Sequence, residues 1–208
     1  NSTKKRVLTM KTSAKLLYVA VLVGLLLAGL LLAKYTPWKD QKVANAGYEN
    51  LGGDFVLNSN TGEVKLQDFR GQLVLMYFGF TSCPDICPTA LSTIAASMRE
   101  LSPDLEAQIQ PLFVSVDPAR DTLENIAKYS AYFHPTMLGL TGSIETLDQL
   151  VRNYGAYYRH IPLENSALGY TVDHTSRVYL IGRQGQLIST IAHGTSVDEV
   201  TTLLNLHL

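Results

Sequence analysis

Cysteine is nearly absent from this chain: Cys83 and Cys87 are the two it has among 208 residues. Four thiolates for an iron–sulfur cluster are therefore not available, nor are those of a four-cysteine zinc site. A framework of several disulfides is excluded as well. Tryptophan is almost as scarce, with Trp38 alone. Low-complexity tracts and internal repeats are missing, which removes the repeat and disordered classes. What remains has the composition and length of a single globular domain plus one further segment.

That further segment is apolar. Leu16 to Ala33 is an 18-residue run without a charge, followed by Lys34. About 20 apolar residues cross the hydrocarbon core of a bilayer, so the run with its flanks, residues 14–34, is expected to be a transmembrane helix. A cleavable signal peptide is the alternative, but its apolar region is usually about 7–15 residues. Lys4, Lys5, Arg6, Lys11 and Lys15 precede the span and no acidic residue does. The positive-inside rule then leaves residues 1–13 as a basic cytoplasmic N-terminus. It sends the rest of this single-pass inner membrane protein into the periplasm, or into the intermembrane space of a mitochondrion. Beyond Lys34 there are 11 Lys and Arg against 18 Asp and Glu, a net −7. Such a domain is a poor partner for nucleic acid.

Residues 35–50 read as a linker, and 51–208 as one domain in which strands and helices alternate. Residues 54–57 and 63–66 suggest a hairpin around Asn58 to Gly62. Leu73 to Phe80 is a continuous apolar run, as expected of a strand covered on both faces. Pro88 to Leu101 predicts a helix, Pro111 to Val116 a second buried strand, and Thr122 to Phe133 a helix capped by Asp121 or Thr122. Ser143 to Tyr154 predicts another helix. Val178 to Ile181 and Leu187 to Ile191 flank Gly182 to Gly185 as a hairpin, and Val197 to Leu206 closes the chain as a helix. This order predicts an α/β sheet with parallel central strands and an antiparallel edge. It suits a thioredoxin-like fold with an N-terminal hairpin extension.

Cys83 and Cys87 stand where the apolar strand hands over to the helix. Chemistry in α/β sheets collects at the carboxyl ends of strands, and a helix N-terminus favours thiolate over thiol. A Cys-x-x-Cys here would indicate a redox motif; the three-residue spacer weakens that reading without removing it. A structural disulfide is a further alternative. Soft thiolates select Cu(I), zinc and iron–sulfur clusters, and imidazole extends the set to Cu(II). With one histidine the site offers three ligands, short of the four that structural zinc wants, which points to copper. Of the five histidines, His174 is singled out because Asp173-His174-Thr175 precedes the last hairpin, opposite the cysteine loop in a thioredoxin-like fold. Asp173 is a candidate to orient it.

The segments YFGFTSCPDICPTAL (Tyr77 to Leu91), FVSVDPARDT (Phe113 to Thr122), GLTG (Gly139 to Gly142) and VDHTSRVYLI (Val172 to Ile181) together resemble the Sco/SenC family of copper-binding assembly proteins. The resemblance spans roughly Gly53 to Leu206. It implies a thioredoxin fold on a membrane anchor, with copper held by two cysteines and a histidine, here Cys83, Cys87 and His174. It also implies a chaperone that serves the cytochrome c oxidase subunit carrying the dinuclear CuA site, and exchange with other copper carriers or thiol–disulfide reductants. Some relatives are thought to reduce the target's cysteines or to act in redox signalling, so Cys83 and Cys87 as a thiol–disulfide oxidoreductase pair stay open. Asp117 and Asp121 match the family's paired-aspartate motif, read either as a turn and helix cap or as a metal-entry or partner contact. Pro84, Asp85 and Pro88 shape the cysteine loop.

Overall fold

A computed structural model describes residues 47–164 and 166–208. The basic segment 1–13, the expected transmembrane helix 14–34 and most of the linker 35–50 lie outside the described residues. Among those described, no helix is long and apolar enough to cross a membrane.

A hairpin opens the domain, β1 (Val56–Ser59) and β2 (Gly62–Lys65), followed by a 3-10 turn at Leu66–Phe69. Then come β3 (Leu73–Gly79), α1 (Ile86–Arg99), the short α2 (Pro103–Glu106), β4 (Ile109–Ser115), α3 (Leu123–Phe133), β5 (Leu138–Leu140) and α4 (Ile144–Asn153). A ribbon of β6 (Tyr158–Pro162) and β7 (Tyr170–His174) precedes β8 (Val178–Ile181), β9 (Leu187–Ile191) and α5 (Val197–His207).

Five strands form the main sheet in the order β5-β4-β3-β8-β9. β4 runs parallel to both β3 and β5, whereas β8 pairs antiparallel with β3 and β9. This is the α/β, thioredoxin-like arrangement expected, with the antiparallel pair at one edge. Every residue of β3 is buried, because the strand is central and covered on both faces; its unbroken apolar run follows from that. Gly139 of β5 lies where a Cβ would stand 2.4 Å from an Ile126 methyl and 2.7 Å from its carbonyl oxygen. Only glycine lets α3 approach β5 so closely. Helices α1 and α5 also meet directly: the buried Ser97 hydroxyl donates to the Val197 carbonyl at 3.3 Å.

Of the two candidate caps of α3, Thr122 is the one that acts, its hydroxyl accepting from Asn125 N–H. The ribbon β6–β7 was not legible at all. His160 and His174 fall on its two strands, and His174 is the last residue of β7 rather than a loop residue.

Candidate metal centre

α1 begins at Ile86, two residues earlier than its periodicity suggests, so Cys87 sits in its first turn while Cys83 stays in the loop before it. Asp85, at the N-cap, makes no capping bond with its side chain. The Cys83 sulfur does the work instead, accepting the Cys87 backbone N–H at 3.4 Å. A thiolate suits that position, since the first N–H groups of a helix have no partner within it. Cys87 is fully buried and Cys83 half-buried.

His174 reaches this pair from 87 residues away, with Nε2 3.4 Å from the Cys87 sulfur. Its Nδ1 lies 3.1 Å from the Thr175 carbonyl oxygen. A carbonyl only accepts, so Nδ1 carries the proton and the Nε2 lone pair is left facing the sulfurs. The Thr175 carbonyl therefore orients the ring; Asp173 does not. Its carboxylate accepts from the Tyr157 hydroxyl at 3.2 Å and faces Arg159. Phe80 and Tyr77 hold the imidazole edge-to-face, with ring centroids at 5.8 and 6.0 Å.

One donor atom from each of Cys83, Cys87 and His174 lies within 4.8 Å of the other two. All three residues expected from the sequence are thus brought together. The other histidines go elsewhere: His134 is buried against Glu106 at 2.8 Å and Thr136 at 2.9 Å. His160 faces Tyr170. A groove of about 270 Å³ opens beside Cys83, lined by Phe80, Pro84, Ile86 and the β7 residues Thr171 to His174.

The two sulfurs differ electrostatically. The Cys87 thiol donating to Cys83, together with the backbone N–H groups of Cys87 and Asp85, lowers the Cys83 pKa to about 3. Cys87 moves the opposite way: sharing its proton with Cys83 and lying deep in the domain, it keeps the thiol form. The metal-free pair is one thiolate and one thiol, with the thiolate on the outside. Tyr77, which the sequence marked only as part of a strand, has its hydroxyl buried without a hydrogen-bond partner among the described residues. Burial holds its ionisation well above the usual range, with Cys87 and Cys83 adding to this.

A sequence model of the SCO1/SenC family matches residues 43–206. The chain belongs to the SCO1/SenC family. It is 42% identical over 159 residues to the mitochondrial SCO2 homolog of Bos taurus, across 75% of this chain and 59% of that protein. An SCO2-like protein of Rickettsia prowazekii is 34% identical over 192 residues, across 90% of this chain and 93% of the relative. Among solved structures, Arabidopsis thaliana ScoI with copper bound is 34% identical, with a TM-score of 0.68 across 74% of this chain and 96% of that one. The chain thus spans about three fifths of the mammalian relative, and nearly all of the bacterial one.

Proposed function

We propose that this protein is a membrane-anchored copper chaperone that takes up copper at Cys83, Cys87 and His174 and delivers it to the CuA-bearing subunit of cytochrome c oxidase during assembly. The observation that carries the reading is the convergence of two sulfurs and an imidazole Nε2 at the carboxyl end of β3. Two thiolates suit Cu(I), and a neutral imidazole whose Nδ1 is already committed extends the set to Cu(II). The copper-bound Arabidopsis relative, at 34% identity, supports the same cargo here. On this reading the apolar run 14–34 serves as the tether, and the basic residues before it argue for a domain outside the cytoplasm, beside the enzymes it would serve.

Transfer proceeds by exchange of one ligand at a time, so the ion is never released to water. Cys83, half-buried and on the open groove, is the ligand an incoming thiolate reaches first. Cys87, enclosed in the helix, lets go last. The test is a copper titration of the reduced chain beside His174→Ala. Loss of the Cu(II) spectrum in the variant supports the three-ligand site, and an unchanged affinity and spectrum overturn it.

A second reading rests on the asymmetry of the sulfurs. A half-buried thiolate beside a buried thiol is the arrangement of a nucleophile and its resolving partner. Cys83 attacks a target disulfide and forms a mixed disulfide, releasing one target thiolate. Cys87, after losing its proton, displaces the second target thiolate. Two electrons pass to the target, and Cys83 and Cys87 end as a disulfide. Trapping of a covalent adduct by Cys87→Ser, indifferent to His174→Ala, would favour this reading over delivery.

A further inference from the structure

His174 is carried by a ribbon that pairs with no strand of the main sheet among the described residues. Something other than sheet hydrogen bonds must fix its distance from the cysteine loop. Near His174 itself, beside the edges of Phe80 and Tyr77, a hydrogen bond fastens the ribbon to a helix: Tyr158, paired across the ribbon with His174, donates its hydroxyl to Asp148 of α4 at 2.7 Å. A second point lies at the far end of β7, and it is unusual in kind.

Residues Val116 to Thr122 join β4 to α3 and contain two buried carboxylates. Asp121 accepts the Thr81 N–H at 2.9 Å and the hydroxyls of Thr81 and Ser115. Thr81 is two residues before Cys83, so this end of the loop grips the cysteine segment. Asp117, 0% exposed, accepts from Arg120 Nε at 2.6 Å and from the Tyr170 hydroxyl at 2.7 Å. Arg120 then folds over Tyr170, its guanidinium carbon 3.7 Å from the ring centroid. Its Nη1 donates to the carbonyl oxygens of Tyr170 at 2.8 Å and Leu168 at 3.3 Å. Tyr170 opens β7, the strand that ends at His174.

Taking carboxylates and a guanidinium out of water costs about as much as their pairing returns, so a buried ion pair contributes little net stability. Its better-attested use is to specify one arrangement over its neighbours. Here the arrangement specified is the separation of the two ligand-bearing segments. A metal tolerates errors of only about 0.2 Å in its ligand distances.

We infer that Arg120 and Tyr170, oriented by Asp117, are positioning residues for His174, and that the Val116–Thr122 loop is the spacer that sets the cysteine-to-histidine distance. The metal arm of this inference rests on the copper reading above; the metal-free arm does not. Among the described residues Arg120 makes no hydrogen bond to a ligand atom of the centre; it acts through β7, and its guanidinium also lies 5.9 Å from the ring of Phe80, which packs on His174.

The test uses the full reduced chain with Tyr170→Phe and Arg120→Gln. Without metal, the His174 ring Cε1–H resonance should move or broaden in both variants. An unchanged resonance in both overturns the inference whether or not copper binds. With Cu(II), Arg120→Gln should weaken binding about tenfold, the scale of losing a residue that orients a metal ligand. Combined with His174→Ala, it should add nothing further, because its whole effect passes through His174. An equal loss in both backgrounds overturns the inference. If the parent chain binds no Cu(II), the copper reading falls and the ring resonance alone decides the spacer. Where Arg120→Gln fails to fold, Tyr170→Phe, which deletes one hydroxyl, carries both arms.

Discussion

Gly79→Ala should damage the fold and the centre together. Gly79 is the last residue of β3, opposite Ser115 of β4, and a Cβ there would lie 2.8 Å from the Cys87 sulfur and 2.9 Å from Phe113 Cε2. A third contact, Tyr77 Cε1, is at 3.2 Å. Cys87, Phe113 and Tyr77 are each 0% exposed, so none can swing outward to make room. Overpacking a closed core costs about 1–3 kcal/mol. With two contacts below 3.0 Å on buried groups, the upper half of that range applies, about 2–3 kcal/mol. For a domain of this size each kcal/mol moves Tm by roughly 2–4 °C, so a fall of roughly 4–12 °C is expected. The sulfur takes part of the displacement, so copper affinity should fall as well. Thermal unfolding of the reduced, metal-free protein, followed by copper titration below the lowered Tm, measures both. A Tm within about 1 °C of the parent with unchanged copper affinity would refute the packing argument.

The remaining expectations concern charge, hydrogen bonding and metal. Asp121→Ala leaves the donors of Thr81 and Ser115 without their acceptor and should cost about 3 kcal/mol or more by urea unfolding, hydrogen bonds to charged groups being the strong ones; a loss under about 1 kcal/mol would contradict the bonding described. Because the Cys83 pKa is lowered to about 3, its thiolate persists as pH falls, and alkylation by iodoacetamide should stay nearly flat from about pH 8 to about pH 5, where an ordinary thiol of pKa about 8.5 loses tenfold per pH unit. Cys87→Ala removes the principal donor to that thiolate and should restore a steep pH dependence; a flat profile in this variant would show that Cys87 is not the cause. Cu(II) at about 100 times its Kd should add about 2.7 kcal/mol, raising Tm by roughly 5–11 °C, and His174→Ala should abolish most of that rise.

Much of the architecture was legible because its pattern is local. The unbroken apolar run of β3 announces a strand buried on both faces, and Ser143 announces the start of α4, its hydroxyl accepting from Thr146 N–H. The cysteines were legible as a site because they stand four apart at a strand-to-helix junction. His174 was selected by its place before the last hairpin, and the structure brings it to the sulfurs. The ribbon carrying it was not legible: Tyr158 to Pro162 has only partly buried or exposed residues, so it lacks the alternation that marks a half-buried strand. Asp121 and Thr122 stayed open as alternative caps of α3 for a related reason: the partner of Asp121 is Thr81, 40 residues away, and no local rule contains that. Tyr77 was invisible because a tyrosine inside an apolar strand looks like core, and only burial without a hydrogen-bond partner reveals its place beside the sulfurs.

The separation in sequence between the ligands has a consequence for when each ion can be held. Cys83 and Cys87 are neighbours in any conformation, so an extended chain already offers Cu(I) two sulfurs. An ion that also binds the unfolded chain stabilises the fold by correspondingly less. His174 joins them only after β7 has docked, 87 residues downstream of Cys87. If copper takes all three ligands, Cu(II) discriminates between finished and unfinished molecules, whereas Cu(I) does not. A chain emerging into a copper-containing compartment could be loaded with the reduced ion before it is folded. Acquiring the capacity to hold the oxidised ion as well would then mark the moment at which β7 has docked.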